Sequence, residues 1–331
     1  MVRSTPHSQT LRVHRSFKGK HSSQRHQWML RLGSGLMAFS LSLGATLPTF
    51  AADPFRSGTS SAQSEIGPLT EQAFEAIFKE GHYVKAMERL KDAEAAESGE
   101  PLVHAMMASM AYLQNDFEGV ASRATKTQAA AEALRASDPL RGHLYAAVGT
   151  FLEGAYVLKT QGVAQGTPMA LGMLQQVFSE MDEAEALAPN DPELNLLKGY
   201  MDLMLAVNLP FSNPEEAIAR MEDYGSPVYL TQRGIALGHR DLGNYGEALI
   251  AVDKAIAAAP NNPELHYLKG QILAKQGAQA DSARSFNKAL EYSGQLPTSL
   301  VKQIAWEGCA AAGLQTDVQC EAEKNAAQGA F

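Results

Sequence analysis

The twelve residues Ala188-Pro-Asn-Asp-Pro-Glu-Leu-Asn-Leu-Leu-Lys-Gly199 recur as Ala259-Pro-Asn-Asn-Pro-Glu-Leu-His-Tyr-Leu-Lys-Gly270. Nine of the twelve positions are identical, and the two copies are 71 residues apart. This interval accommodates two helical hairpins, one of about 34 residues and one slightly longer. The repetition therefore predicts an array of stacked helix pairs, in which each repeat packs only on its neighbours.

The segment from about Pro68 to Lys324 is uniform in composition. It is rich in Ala, Leu, Glu and Met, poor in Val, Ile and Thr, and interrupted at intervals by Gly and Pro. Strong helix formers separated by turn residues favour helices, and no run of alternating β-branched residues indicates a strand. We therefore predict an all-α fold.

The repeat register is clearest between residues 229 and 296. In units of 34 residues counted from Tyr229 and from Pro263, small residues recur at positions 8, 20 and 27, and Pro260 stands at position 32. Small residues let the helices of a hairpin approach closely, while a larger residue at position 24 fills the space between them. The predicted packing residues are Gly199, Ala217, Ala236, Ala248, Ala255, Pro260, Gly270, Ser282, Phe286 and Ala289.

These residues resemble the signature of the tetratricopeptide repeat (TPR) family. The resemblance implies a right-handed α-solenoid of about six to seven helical hairpins, although the tryptophan usual at position 4 is absent. The unit at 138–191 is degenerate, and the unit at 192–228 needs a longer turn around 207–213. The predicted repeats lie near 67–100, 101–137, 138–191, 192–228, 229–262 and 263–296, followed by a capping hairpin at 297–328.

The resemblance also implies a mode of action. TPR proteins are mostly non-catalytic scaffolds that bind peptides or helices in a concave groove lined by the first helix of each hairpin. Apolar and basic side chains in this groove would suit an amphipathic helix or an acidic-apolar peptide of a protein partner. The alternative is that some of them pack against neighbouring helices. The groove residues are Glu193, Tyr200, Met204, Arg233, Arg240, Tyr267, Gln271 and Lys275.

The first 51 residues predict export. They contain seven Lys or Arg, no acidic residue, an apolar stretch at 36–47 and small residues up to Ala51. This pattern is typical of a secretory signal peptide cleaved after Ala51, and its apolar stretch is shorter than the ~20 residues that span a bilayer. Two starts remain open, a compact leader from Met29 and a long basic leader from Met1.

Removal of this leader would make the chain strongly acidic. Residues 1–51 hold seven of the 28 basic side chains and none of the 36 acidic ones, so 21 and 36 remain and the net charge changes from −8 to −15. Such acidity disfavours nucleic acid as a partner, because its binding requires positive charge. After cleavage the chain is predicted to have no stable membrane anchor. Residues 52–66, rich in Ser, Gly, Thr and Gln, predict a flexible linker.

The predicted compartment is the periplasm, or the thylakoid lumen if the source is a cyanobacterium, since the chain is similar to exported cyanobacterial-type repeat proteins. An exported protein can form disulfides. Cys309 and Cys320 flank a predicted turn at 313–317, so their thiols could meet across a hairpin. Two free buried thiols are the alternative.

No catalytic motif is found, and the five histidines after residue 51 show no metal-ligand spacing. We therefore predict no cofactor, no metal site and no enzymatic activity. The favoured function is an exported scaffold for protein–protein interaction. Two alternatives remain, an accessory subunit of an envelope or thylakoid-lumen enzyme or transporter, and an enzyme with a scattered active site within 138–189.

Overall fold

A computed structural model describes residues 53–56, 66–206, 213–312 and 317–331. Within these ranges the chain is all-helical and contains no β-strand. The proposed signal peptide, with Met29 and Ala51, lies outside the described residues. So do residues 57–65 of the predicted linker and the segments 207–212 and 313–316. The α-helices described are α1 (Pro68–Phe78), α2 (Tyr83–Ala96), α3 (Pro101–Leu113), α4 (Phe117–Leu134), α5 (Pro139–Leu187), α6 (Pro192–Ala206), α7 (Pro214–Tyr224), α8 (Val228–Leu242), α9 (Tyr245–Ala258), α10 (Pro263–Gln276), α11 (Gln279–Leu290), α12 (Thr298–Ala312) and α13 (Asp317–Ala326).

Local sequence signals explain where most of these helices begin. Six helices start with proline, whose missing N–H would have no partner in the first turn. Side chains just before several of these starts accept hydrogen bonds from the orphan N–H groups, as Asp191 does from Leu194 and Asn262 does from Glu264. The helix pattern therefore follows from short-range chemistry.

The long element α5 is a helical hairpin folded at Gly162. This glycine has φ 75° and ψ 165°, a conformation that side chains with a Cβ rarely adopt. The second half returns along the first, since Gly166 lies against the carbonyl of Val157 and Glu180 contacts His143. The degenerate unit predicted at 138–191 thus corresponds to this folded element.

Glycine permits close contact between the paired helices at both copies of the repeated motif. A Cβ on Gly199 of α6 would lie 2.5 Å from Met221 Cγ of α7, and a Cβ on Gly270 of α10 would lie 2.9 Å from the Phe286 ring of α11. The Ser282 hydroxyl also donates to the Gly270 carbonyl at 2.8 Å. Pro260 is exposed just after α9, whereas the other predicted packing residues, Ala217, Ala236, Ala248, Ala255, Ser282, Phe286 and Ala289, are buried.

The first hairpin folds back onto the sixth. The Asn262 side-chain amide donates to the Phe78 carbonyl at 3.0 Å, and the Tyr83 hydroxyl donates to Glu264. Gly81, in the turn between α1 and α2, lies against the Pro263 ring. The expectation that each repeat packs only on its neighbours is therefore wrong for the first repeat. The cause is that Asn262, which precedes α10, and Glu264, in its first turn, supply hydrogen-bonding side chains that contact the first hairpin.

Cys309 of α12 and Cys320 of α13 form a disulfide, with their Cα atoms 5.4 Å apart. The bond joins the last two helices over a sequence separation of 11 residues. Such a crosslink restricts the unfolded chain more than the folded one.

We expect the paired substitutions Cys309→Ser and Cys320→Ser to lower the free energy of unfolding by about 2–3 kcal/mol, the chain-entropy value for so short a loop. Urea unfolding followed by circular dichroism, with and without reductant, measures this loss. Reductant should destabilise the wild type and leave the variant unchanged. An equal response of both proteins to reductant would contradict the assignment.

Candidate interaction site

The predicted groove residues lie on α6, α8 and α10, and the structure buries several of them. Glu193, Tyr200 and Tyr267 are buried, whereas Lys275 is exposed. The remaining four, Met204, Arg233, Arg240 and Gln271, are partly buried. The surface formed by α6, α8 and α10 thus combines enclosed polar groups with an accessible rim.

Hydrogen bonds connect these side chains from one helix to the next. Arg233 Nη2 donates to Glu264 Oε2 at 2.8 Å, and the Tyr200 hydroxyl donates to the Leu230 carbonyl at 2.8 Å. Burial raises the pKa of Tyr200 to about 12, although Arg233 opposes this shift. The Tyr200 hydroxyl therefore stays protonated at neutral pH and acts as a donor.

A second series of contacts lies toward the other end of these helices. Arg240 Nη1 donates to Gln271 Oε1 at 2.8 Å, and Gln271 Nε2 donates to Glu307 Oε2 at 2.8 Å. Arg240 also binds Asp241 of its own helix. Arg240 and Gln271 are thus held by neighbours, while Lys275 in the next turn of α10 is exposed.

The most enclosed part of this surface contains a tetrapeptide, Asp53–Arg56, which comes from far away in the chain. Its four residues are buried, so the prediction of a flexible linker at 52–66 is wrong for them. Asp53 Oδ1 accepts hydrogen bonds from the backbone N–H groups of Phe55 at 2.8 Å and Arg56 at 3.3 Å. This Asx-type turn presents the Phe55 and Arg56 side chains to the helices.

Phe55 inserts next to the first helix. Its ring packs edge to face on Phe74 of α1 with centroids 5.1 Å apart, and Phe74 packs in the same way on Phe78. Edge-to-face pairs of this kind add to the stabilisation that burial itself provides. Phe55 is 1% exposed, so nearly its whole side chain is removed from water.

Arg56 forms a two-pronged ion pair with the start of α6. Its Nε and Nη2 donate to the two carboxylate oxygens of Asp191 at 2.6 and 2.9 Å. Nη2 also donates to Glu193 Oε2 at 3.1 Å, and Nη1 donates to Asp53 of the tetrapeptide. This fork-to-fork geometry requires a planar guanidinium, which lysine lacks.

Arg141 of α5 occupies the other side of Glu193. It donates to both carboxylate oxygens of Glu100 at 2.6 and 3.1 Å, and its guanidinium lies 5.1 Å from the centroid of the Tyr145 ring. The Tyr145 hydroxyl donates to Glu193 Oε1 at 2.5 Å. Arg141 is 2% exposed and is among the largest fully buried side chains.

The buried cluster holds more acidic than basic side chains. Four carboxyl groups, those of Asp53, Glu100, Asp191 and Glu193, face two guanidinium groups, those of Arg56 and Arg141. Burial raises the pKa of Glu193 to about 7, and Arg141 and Arg56 only partly oppose this shift. Burial lowers the pKa of Arg56, but Glu193, Asp191 and Asp53 outweigh it and raise the pKa above its usual value.

The raised pKa of Glu193 predicts a pH dependence of stability. Between its usual pKa of about 4.3 and the folded value of about 7, the folded state binds a proton that the unfolded state releases. This contribution to stability is therefore fully present at low pH and is lost as the pH rises through about 7. We expect urea midpoints to rise from about pH 7 to about pH 5 less steeply in Glu193→Gln than in wild type.

Glu75 provides a second acidic group with the same sign, because burial raises its pKa to about 7 as well. Glu75→Gln should therefore also flatten the profile. Parallel wild-type and Glu193→Gln profiles would show that Glu193 does not titrate in this range.

Each copy of the repeated motif binds part of the N-terminal region. In the first copy, Asp191 and Glu193 bind Arg56. In the second copy, Asn262 binds the Phe78 carbonyl, and Glu264 accepts from Tyr83 and Arg233. The two copies differ at the cap position, where the first has a charged Asp and the second a neutral Asn. The charged cap residue occurs in the copy where the cap side chain itself binds an arginine.

The 138–189 region also brings titratable side chains together. His143 Nδ1 lies 2.7 Å from Glu180 Oε2, and Arg135 Nη2 donates to both oxygens of Glu180 at 2.8 and 2.9 Å. The three groups bind one another and join α4 to both halves of α5.

Among the described residues no group of three or more His, Cys, Asp or Glu is arranged to bind a metal ion. Across the same ranges, no helix combines the length and the apolar composition needed to cross a membrane. Comparison with protein-family models gives no match to this chain, and comparison with curated proteins gives none either. The interpretation of the site therefore depends on its geometry.

Sequence reasoning missed the tetrapeptide, and it missed Glu100, Arg141 and Tyr145, which complete the buried cluster around Glu193. One signal was present, since Phe55 is the only aromatic residue between Phe50 and Phe74 and follows a proline in a segment otherwise rich in small polar residues. A large aromatic side chain gains free energy from burial, so its presence argues against a solvated spacer at this position.

Proposed function

We propose that this protein is an exported, non-catalytic scaffold of the TPR type, with its hairpins arranged as a right-handed α-solenoid. It binds a segment of another protein on the surface formed by α6, α8 and α10. The observation that supports this proposal is that the enclosed end of this surface already holds a peptide, Asp53–Arg56, by an aromatic ring and an ion-paired arginine. A surface that encloses one peptide is suited to binding another.

The accessible rim provides the test. The full chain, carrying an affinity tag at its C-terminus, is used to capture crosslinked proteins from the exported fraction of its host. Arg240→Ala with Lys275→Ala removes two positive charges from the rim, whereas Lys254→Ala with Lys288→Ala removes two from the second helices of the hairpins. We expect the rim variant to recover at least about tenfold less partner than wild type and the control variant to recover as much. Equal recovery by both variants would refute a role for the rim.

Export is tested separately by sequencing the N-terminus of the mature protein. Cleavage after Ala51 makes Ala52 the first residue, so that the chain begins one residue before the buried tetrapeptide. A mature chain that retains residues 29–51 would contradict the proposed leader.

An accessory subunit of an envelope or thylakoid-lumen complex is the second candidate. It is favoured by apolar side chains exposed on the second half of α5, where Met169 and Leu171 are 49% and 52% exposed and Phe178 is 38% exposed. Leu171 and Phe178 are seven residues apart and so share one face of this helix, and exposed apolar side chains on one face favour a contact surface. Co-migration with a large complex on a native gel, lost in Leu171→Ser with Phe178→Ser, would support this candidate over transient peptide binding.

A further inference from the structure

The Asp53–Arg56 tetrapeptide is buried in the manner of a bound ligand. It reaches the helices through two side chains, Phe55 on α1 and Arg56 on α6. Within the tetrapeptide, the Asp53 carboxylate accepts hydrogen bonds from the backbone N–H groups of Phe55 and Arg56. The nine residues 57–65 connect it to the helical domain, which begins at Ile66 and α1. The turn thus places an aromatic ring and a guanidinium in a cleft whose walls are aromatic at Phe74 and acidic at Asp191 and Glu193.

Glu193 in the cleft offers an oxygen that accepts a hydrogen bond from Arg56 of the tetrapeptide. Arg141 Nε is buried, has no hydrogen-bond partner in the described part of the chain, and remains 3.6 Å from Glu193 Oε2. The same oxygen accepts from Arg56 Nη2 at 3.1 Å. Arg141 of the helical domain therefore makes no hydrogen bond from Nε to Glu193 Oε2, whereas Arg56 of the tetrapeptide does donate to this oxygen.

The negative charge of Asp191 also favours a bound arginine. Its Oδ1 caps α6 by accepting from the Leu194 N–H at 3.0 Å, a task for which asparagine is equally good and which Asn262 performs in the second copy of the motif. Capping alone thus does not require a negative charge here. The charge does match the guanidinium of Arg56, which binds both Asp191 oxygens.

We propose that this cleft, formed by Phe74, Asp191 and Glu193, is a recognition site for segments in which an aromatic residue is followed by arginine. In the free protein the chain's own Asp53–Arg56 occupies the cleft, and an aromatic–arginine segment of the protein partner displaces it. This inference rests on the proposed scaffold function and names the partner's chemistry. It adds a second chemistry to the acidic-apolar ligand predicted from the basic rim residues, because the enclosed end of the surface is acidic.

The internal segment belongs to the same chain as the cleft, so it competes intramolecularly and at a higher effective concentration than a free peptide. A free peptide therefore binds weakly to the intact protein and more tightly once the internal segment is weakened. Cleavage after Ala51 would leave the segment near a free chain end, so that it could leave the cleft without unthreading.

The test uses a fluorescently labelled peptide with the sequence of residues 52–58 and the full chain as wild type and as Arg56→Ala. Fluorescence polarisation should show at least about tenfold tighter binding to Arg56→Ala than to wild type. Peptides with alanine in place of the phenylalanine or the arginine should bind at least about tenfold more weakly. Adding Asp191→Asn to Arg56→Ala should weaken binding by a similar factor, because the cap is retained and only the charge is lost.

Two results would overturn the proposal. One is that the labelled peptide binds Arg56→Ala no better than wild type. The other is that both Arg56→Ala and Phe55→Ala lose cooperative unfolding by circular dichroism, which would make the tetrapeptide an obligatory part of the fold. If partner capture still depends on Arg240 and Lys275 in either case, the scaffold function stands and only the aromatic–arginine specificity is lost.

Discussion

Arg141→Met should lower the free energy of unfolding by about 3–5 kcal/mol, the usual cost of removing one partner from a buried ion pair. Methionine fills a similar volume but leaves Glu100 without its two hydrogen bonds from Arg141 and removes the positive charge that lies between the buried carboxyl groups of Glu100 and Glu193. Urea or guanidinium unfolding followed by far-UV circular dichroism gives the difference between variant and wild type.

The matched control is Arg284→Met, which removes the same side chain from an exposed ion pair with Asp281. Exposed pairs contribute about 0–1 kcal/mol, so this variant should remain close to wild type. Adding Glu100→Gln to Arg141→Met should restore part of the loss, because one uncompensated charge disappears. Equal effects of the two arginine substitutions would show that Arg141 does not stabilise the buried cluster.

Phe286→Ala should lower the free energy of unfolding by about 3–5 kcal/mol, because it opens a cavity where three helices meet. The Phe286 ring contacts Gly270 of α10 and Gly308 of α12, and lies 5.9 Å from the ring of Tyr267 between centroids. Phe286 is 1% exposed, so the cavity left by its ring would be closed to water and the surrounding side chains would lose their contacts with the ring. The same unfolding measurement tests this expectation.

Phe178→Ala is the control for this substitution, since Phe178 is 38% exposed on α5. Its loss should be within about 1 kcal/mol, because an exposed side chain gives up little burial. A small effect of Phe286→Ala, comparable with that of Phe178→Ala, would mean that α10, α11 and α12 do not depend on this contact.

Much of the fold could be predicted from short stretches of sequence. Helix formers between turn residues predicted an all-α chain, and the described residues are all-helical. The predicted repeats began near residues 192 and 263, and α6 and α10 do begin at Pro192 and Pro263. Each signal acts within one or two helical turns, so its effect hardly depends on the rest of the chain.

The candidate site was harder to predict, as Glu193 and Arg233 illustrate. Both stand at positions that line a groove in a helical-repeat array, yet Glu193 is buried by Arg56, Arg141 and Tyr145, and Arg233 is bound to Glu264. A repeat register assigns a residue to a face of its helix. It does not say whether a distant segment covers that face.

The sequence by itself determined the helices, their starting residues and the close contacts within hairpins at Gly199 and Gly270, because propensity, capping and 34-residue spacing act over short distances. Only the tertiary structure decided that α1 reaches α10 and that Asp53–Arg56 enters the cleft at α6. These contacts join residues 135 to 184 positions apart. Contacts over such separations depend on how all the intervening helices are oriented, and no local sequence pattern contains that information.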